Sequence, residues 1–238
     1  MESELKCFLT GTTVKKEAEQ RMTKTMMKEK EDDIAWKDFE ENVRLKDNRI
    51  SVKFPIKSNI QSIDDNFGNS FGCLNGMLKS IKQKPEIFEK YNKTIQEQID
   101  SGILELCPKK RHPFFTYYIP HHHVQKITSS TTKLRIVLNA SSKKKHLNSL
   151  NDILYQGSKI ILNVFGMLLR VRLSKVFLMG DVEKAFHQIE LDESQRDLTR
   201  MLWIKDNMKE ARGDNIVHLR FTRIPFGVNC SPFLLGAS

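Results

Sequence analysis

Hydrophobic and polar positions follow a helical period most clearly between residues 85 and 102. An apolar residue recurs at every fourth position of this segment, at Ile87, Tyr91, Ile95 and Ile99. Such spacing predicts a helix with one buried stripe. Pro85 suits the first turn and Gly102 suits a left-handed C-terminal cap, so both ends of the helix are marked.

Shorter runs of apolar or alternating residues predict strands. Ile50–Ile56 alternates like a short strand that ends at Pro55. Phe114–Pro120 and Leu134–Leu138 predict two strands of a hairpin joined by a polar loop. Leu198–Ile204 and Val217–Phe221 predict two further strands, and the last alternates apolar with polar residues. Helices and strands in this mixture indicate an α+β protein.

The most apolar part of the chain lies between residues 160 and 180. Ile160–Arg172 is apolar nearly all round, which predicts a helix buried on most faces. Val176–Met179 predicts a buried strand that ends at Asp181, where a lone carboxylate needs a partner, usually a cation. Asp181 could instead cap the N-terminus of a following helix, and its position alone favours a cap over a metal ligand.

Other segments are polar or rich in glycine. Residues 1–35 are dense in charge, which predicts a solvated helix or a linker. Asp64–Gly76 contains three glycines and predicts a loop, whereas Ser231–Ser238 begins a helix with Pro232 at its first turn.

Positive charge is concentrated in one third of the sequence. The chain has 238 residues, 39% hydrophobic, enough for one sizeable core, and a formal net charge of +10. Residues 101–180 contain 13 Lys and Arg against 2 Asp and Glu. This imbalance predicts a polyanionic partner, with a solvated basic face as the alternative.

Cysteine spacing and the N-terminus indicate the compartment. The four cysteines lack the spacing of a disulfide framework or a zinc ribbon, and charged residues follow Met1 directly. The longest apolar segment, Ile160–Leu169, is about half the length of a membrane span. We therefore expect an intracellular, cytoplasmic protein with no signal peptide and no membrane partner.

Five sequence blocks follow one another in a fixed order: Arg135–Ser141, Leu147–Leu154, Leu168–Leu173, Gly180–Ile189 and Arg220–Phe233. Together they resemble the reverse transcriptase of Pao/BEL-type LTR retrotransposon polyproteins. The resemblance extends back through Tyr117–Val124 to about Trp36, whereas residues 1–35 match only vaguely.

The resemblance implies a right-hand polymerase fold, with fingers and an incomplete palm. We expect 1–35 to be a charged linker or helical N-terminal segment, and 36–110 to be a polyprotein connector with the start of the fingers. Residues 111–238 would form the fingers and part of the palm. The chain would stop before the Tyr-x-Asp-Asp hairpin, the thumb and the ribonuclease H domain.

The resemblance also implies a metal site and a sugar contact. Asp181 would be the catalytic carboxylate and a magnesium ligand, and the backbone carbonyl of Val182 would bind the second ion. Phe186 would lie under the sugar as a steric gate that excludes a 2′-hydroxyl. From spacing alone, Phe186 is equally well explained as a core aromatic.

Four further residues would bind the incoming nucleotide. Arg135 would grip the triphosphate with its planar guanidinium, and Lys133 would be a second phosphate contact. Phe226 and Gly227 would form the turn beneath the nascent base pair, where a glycine permits close approach. Without the resemblance, Arg135 is explained as an edge or ion-paired residue and the turn as a common one.

One cluster of histidines and one of lysines could suggest binding sites, but both have simpler explanations. His121, His122 and His123 lie on an extended segment, where adjacent side chains face opposite ways, so we do not expect zinc there. Lys143–Lys145 is either a contact to backbone phosphates or solvated charge. Asn139 stands where the resembled family generally has Asp, which removes one charge from the fingers.

The implied activity is RNA-directed DNA polymerisation, with an RNA template, an RNA/DNA hybrid and deoxynucleoside triphosphates as partners, and the other parts of a polyprotein in a virus-like particle. Because residues 182–238 contain no Asp-Asp pair that follows a strand with a tight turn, we expect magnesium-dependent nucleotidyl transfer in the intact parent but not in this chain. The alternatives are a non-catalytic nucleic-acid-binding remnant of a decayed retroelement and an unrelated soluble domain with a basic face.

Overall fold

The computed structural model describes residues 2–58, 63–107, 116–126, 133–160, 163–206 and 208–238. Helices in these ranges are α1 Glu2–Asn42, α2 Phe67–Ile81, α3 Pro85–Asp100, α4 Leu150–Ile153, α5 Val164–Arg172 and α6 Ser231–Ala237. Strands are β1 Arg44–Lys46, β2 Arg49–Val52, β3 Leu104–Leu106, β4 His121–Lys126, β5 Lys133–Leu138, β6 Glu190–Leu191, β7 Arg200–Ile204 and β8 Ile216–Phe221. No helix in the described ranges is long and apolar enough to cross a membrane.

The strands form three small sheets. Their orders are β1-β2-β6, β3-β8-β7 and the hairpin β4-β5, with antiparallel pairing except between β2 and β6. One core cluster joins residues from Ala35 to Leu234. The described part of the molecule is therefore mixed α and β, and the predicted strands at Leu198–Ile204 and Val217–Phe221 are confirmed as β7 and β8.

Helix α3 matches its sequence pattern. It runs from Pro85 to Asp100 and buries Ile87, Tyr91 and Ile95, and Gly102 follows with φ +66°. The positive φ is the left-handed conformation that terminates many helices, and glycine adopts it without a Cβ clash.

Helix α2 occupies the segment for which a loop was predicted, so that prediction was wrong. Its buried residues are spaced by four, three and four positions, at Ser70, Leu74, Met77 and Ile81. The three glycines recur every fourth residue and lie on the exposed side of the helix. Their helical cost of about 1 kcal/mol each is offset by burial of the opposite face.

The structure contains the predicted hairpin with a shifted first strand, and a second hairpin that was not predicted. The first strand of the predicted hairpin that ends with β5 is β4, His121–Lys126, which begins after the predicted Phe114–Pro120. Residues 114 and 115 lie outside the described residues, and 116–120 contribute only an isolated bridge from Tyr118. A second hairpin, β1-β2, turns at Asp47 and Asn48, which both have positive φ, as tight hairpin turns require.

Helix α1 extends through the predicted boundary at residue 35 without a break and packs on α6. Ala35 and Phe39 are buried in the common core. The Trp36 and Phe39 rings lie edge-on to Phe233, with centroids 5.3 Å and 6.0 Å away. The predicted helix at Ser231 is thus confirmed as α6, and α1 packs against it.

Candidate nucleotide and nucleic-acid site

The turn that follows β8 packs closely on the end of β5. Gly227 has φ +103°, and a Cβ at this position would lie 2.9 Å from the carbonyl oxygen of Leu138. Only glycine allows both this backbone conformation and this approach. The turn is therefore held against the strand that carries Arg135.

The side chain of Phe226, which belongs to this turn, contacts the ring of Phe186. Their ring centroids are 5.4 Å apart with planes at 72°, and Phe226 is 64% exposed. The Ile224 N–H donates to the Ile189 carbonyl at 3.2 Å, and the Leu191 N–H donates to the Thr222 carbonyl at 2.9 Å. These bonds bring together two segments that are more than 30 residues apart in sequence.

Arg135 lies on β5 opposite Val124 and is exposed. Leu138, three residues later, faces the other side of the hairpin and is buried. The turn therefore contacts the strand of Arg135 and not its guanidinium. The side chain of Lys133 lies outside the described residues.

The segment before Asp181 departs from its prediction. Val176, Phe177, Leu178 and Met179 form no strand and are 57–89% exposed, so the predicted buried strand is wrong. The preceding helix α5 starts at Val164, not Ile160, and none of its residues is buried. A strand needs a hydrogen-bonded neighbour, and no strand in the described ranges pairs with this segment.

Asp181 and Val182 are consequently exposed. The next short helix starts at Ala185 and its N-cap is Lys184, so Asp181 does not cap it. Across the described ranges, no group of three His, Cys, Asp or Glu side chains is arranged to hold a metal ion. The structure thus groups Phe186, Phe226 and Gly227, whereas Asp181 belongs to no such group of three side chains in the part of the chain that the structure describes.

A network of arginines and acids lies beside these residues and was missed at the level of sequence. It contains Arg196, Arg200, Arg220, Arg223, Glu105, Glu190 and Asp197. Asp197 Oδ1 accepts hydrogen bonds from Arg200 Nε at 3.2 Å and Arg220 Nη1 at 3.0 Å. Arg220 Nε also donates to Glu105 Oε1 at 2.7 Å.

Burial distinguishes this network from ordinary surface pairs. Arg200 is 2% exposed, Asp197 5% and Arg220 8%. Arg220 is one of the polar residues in the alternation along Val217–Phe221, yet it is buried, and its strand β8 lies between β3 and β7. Burial of these charges is compensated by their pairing, which joins Asp197 to Arg200 three residues away and to Arg220 on β8.

His187, the neighbour of Phe186, was also not anticipated. Its Nδ1 is buried and has no hydrogen-bond partner within the described ranges. Burial lowers the pKa of His187, with contributions from nearby Lys184 and Arg223. Burial therefore disfavours the charged imidazole at the residue that directly follows Phe186.

The three consecutive histidines have structural surroundings. His121 is buried and His122 exposed, so adjacent side chains face opposite ways as predicted. His121 Nδ1 bonds to the Tyr91 hydroxyl and its Nε2 lies 2.8 Å from the Leu202 carbonyl. A pocket of about 350 Å³ is lined by these histidines together with Cys73 and Asn139.

Acid is expected to destabilise the protein through His121. Burial lowers the pKa of His121 from 6.5 to about 4, so below pH 6.5 the unfolded chain binds a proton that the folded chain does not. The sign is therefore a loss of stability on acidification, about 1.4 kcal/mol per pH unit and about 2 kcal/mol at pH 5. Urea unfolding at pH 7 and pH 5 measures it.

His121→Gln should remove this part of the pH dependence, whatever its effect on stability at pH 7. His122→Gln, one position along the strand, should retain it because His122 is exposed. Equal pH dependence in wild type and His121→Gln would contradict the assignment.

The lysine run at 143–145 is partly neutralised by acids. Lys143 Nζ lies 2.6 Å from Asp152, and Lys144 Nζ lies 3.3 Å from Asp64. The hydrogen bond from Lys143 is the main reason why the pKa of Asp152 is lowered to about 2. At least these two lysines therefore support the local fold.

Comparison with known proteins shows that the chain is similar to a part of a retrotransposon Pol polyprotein. One such relative is the retrovirus-related Pol polyprotein from transposon 412 of Drosophila melanogaster, which is 26% identical over an alignment of 227 positions. The alignment covers 78% of this chain but only 17% of that polyprotein, so the chain spans about a sixth of its length. No protein-family model matches the chain.

Proposed function

We propose that this chain is the fingers and part of the palm of a Pao/BEL-type retrotransposon reverse transcriptase. The similarity to a Pol polyprotein supports an origin in a retroelement. The order of the sequence blocks from Arg135 to Phe233 supports the narrower assignment. In this proposal the chain binds an RNA/DNA hybrid and forms part of the site for a deoxynucleoside triphosphate.

The observation that carries the proposal is the convergence of Phe186, Phe226 and Gly227. Two aromatic rings in contact, one of them largely exposed, provide an apolar surface for a sugar and a base. Because Gly227 has no Cβ, the turn can pack on the Leu138 carbonyl while its neighbour Phe226 contacts Phe186. Three residues predicted to bind the nucleotide are thereby adjacent in space.

Arg135 would contribute charge to this surface. Its guanidinium is exposed on β5, the strand whose end packs under Gly227. Planar guanidinium groups bind phosphate oxygens in pairs and stay charged at any physiological pH.

The metal site fits magnesium only in part. The Asp181 carboxylate and the Val182 carbonyl are oxygen ligands of the kind that magnesium prefers. Because no three-ligand group exists in the described ranges, these residues alone do not hold a two-ion centre. We therefore derive no step of the reaction through the metal.

Binding to a labelled RNA/DNA hybrid tests the proposal. Fluorescence anisotropy should give an affinity that falls steeply with potassium chloride, because phosphate contacts release counterions. A photoreactive deoxynucleoside triphosphate complementary to the template should crosslink more than a mismatched one. Arg135→Ala should reduce that crosslinking by roughly tenfold, the effect of losing one charge-assisted contact of about 1.5 kcal/mol.

Lys37→Ala is the control, since Lys37 is an exposed cation on α1, outside the fingers hairpin. It should leave crosslinking unchanged. The absence of binding, or an affinity independent of salt, would contradict the proposed contacts to the phosphates of the hybrid. Hybrid binding without any preference for the complementary nucleotide would instead favour a non-catalytic nucleic-acid-binding remnant.

A further inference from the structure

Four basic side chains share one face of the small sheet β1-β2-β6 and the segment beside it. In the register, Arg44 is opposite Ser51 and Lys46 is opposite Arg49. Ser51 is opposite Glu190, and Glu190 is opposite Arg223. Opposite residues and residues two positions apart project from the same face, so Arg44, Lys46, Arg49 and Arg223 form a basic strip.

The strip contains more positive charge than its acids neutralise. Glu190 is the acid in these rows, and its two oxygens are already divided between Arg196 at 2.8 Å and Arg223 at 3.4 Å. Arg49 forms none of the ion pairs found among the described residues. Asp47 lies in the turn between β1 and β2, outside the paired rows.

Arg223 shows the consequence of this excess. Its Nη1 is buried and has no hydrogen bond in the described ranges, although Glu190 is nearby. Burial lowers the pKa of Arg223, and Arg49 and Arg196 lower it further. A guanidinium in this environment gains from an added anion, because Coulomb attraction is strong where water is partly excluded.

We propose that the basic strip binds the phosphodiester backbone of a nucleic acid. The cations occupy two neighbouring rows of the sheet, Lys46 opposite Arg49 in one and Arg44 and Arg223 at the two ends of the other. Several separated cations suit a chain of phosphates better than one isolated phosphate. Arg44, Lys46 and Arg49 are exposed, so a backbone can reach them from solvent. The strip lies outside the basic block at 101–180, and it is distinct from the Phe186 and Phe226 surface.

The strip is joined to that surface by the backbone. Arg223 directly precedes Ile224, whose N–H donates to the Ile189 carbonyl. Glu190, the acid of the strip, directly follows Ile189 in sequence. A nucleic-acid backbone bound to the strip would therefore lie near the protein segment that positions Phe186. The strip adds a second contact for the same hybrid, and in this respect it rests on the proposed function.

A double variant tests the strip. Arg44→Gln with Arg49→Gln removes two exposed cations, and the unfolding temperature should stay close to wild type. The log–log salt slope of hybrid binding should fall by roughly 2, and the affinity at low salt should weaken by roughly tenfold. Lys37→Gln with Arg212→Gln, two exposed cations outside the strip, should change neither as much.

Failure of this proposal and failure of the proposed function are separable. A double variant with the wild-type salt slope would overturn the strip, even if complementary nucleotides still crosslinked through the Arg135 site. The proposal would also be overturned if inorganic phosphate or a free nucleotide displaced the hybrid when its phosphate concentration only equalled the concentration of phosphate groups in the hybrid. Retained nucleotide crosslinking with a reduced salt slope is the expected result.

Discussion

Asp197→Asn is expected to lower the free energy of unfolding by about 3–5 kcal/mol, because two buried guanidinium groups lose their shared carboxylate. Arg200 and Arg220 both bond to the same oxygen of Asp197, and all three residues are buried. Asparagine has nearly the same shape, so the change removes charge and little packing. Urea unfolding followed by circular dichroism at pH 7 measures the loss.

Glu210→Gln provides the matched control. Glu210 pairs with Arg212 at 3.2 Å, but both side chains are more than three quarters exposed. Such surface pairs contribute about 0–1 kcal/mol, so the control should stay near wild type. If both variants were equally stable, the buried network would not hold β8 against β3 and β7.

Gly227→Ala is expected to destabilise the protein by about 3 kcal/mol and to displace the turn that carries Phe226. The cost combines a φ of +103°, which a residue with a Cβ rarely adopts, with a Cβ 2.9 Å from the Leu138 oxygen. A backbone oxygen cannot move aside as a flexible side chain would. Urea unfolding and nucleotide crosslinking should both report the change.

Gly213→Ala separates conformational cost from steric overlap. Gly213 has φ +50°, and a Cβ added there would meet no atom within 4 Å, so its substitution should cost only about 1 kcal/mol. Equal effects of the two substitutions would mean that the turn does not press on β5. Normal crosslinking in Gly227→Ala would remove the turn from the proposed nucleotide surface.

The elements that the sequence predicts well are those with local reasons to form. Helix α3 has its apolar stripe, its first-turn proline and its terminal glycine within 18 residues, and its pattern predicts both ends nearly to the residue. Strands β7 and β8 and helix α6 follow the same rule. Helix α2 was missed because its glycines are typical of loops, whereas its buried stripe overrides their low helix propensity.

Features that depend on distant partners were missed. The run Val176–Met179 has the composition of a strand, but composition does not supply the neighbour that a strand requires. The pairing of Asp197 with Arg220, and of Glu105 with Arg196, joins residues 23 and 91 positions apart. No periodicity in the sequence indicates such pairs.

The candidate site was predictable only in part, because its residues come from sequence blocks but their contacts depend on distant partners. The order of Phe186 and the Phe226–Gly227 turn came from the sequence blocks, and their contact in space depends on the ladder at Ile189 and Ile224. Asp181 was expected at a buried strand end, and the structure leaves it exposed. The basic strip escaped notice because its members lie in separate segments, and only strand register aligns them.

The edge-on contact between Trp36 and Phe233 provides an optical probe of one end of the molecule. The sequence has two tryptophans, and the other, Trp203, is 3% exposed and stacks on Tyr91 with centroids 4.6 Å apart. Trp36 is 37% exposed. Acrylamide will therefore quench the two indole emissions unequally, and detachment of α1 from α6 can be observed separately from melting of the interior.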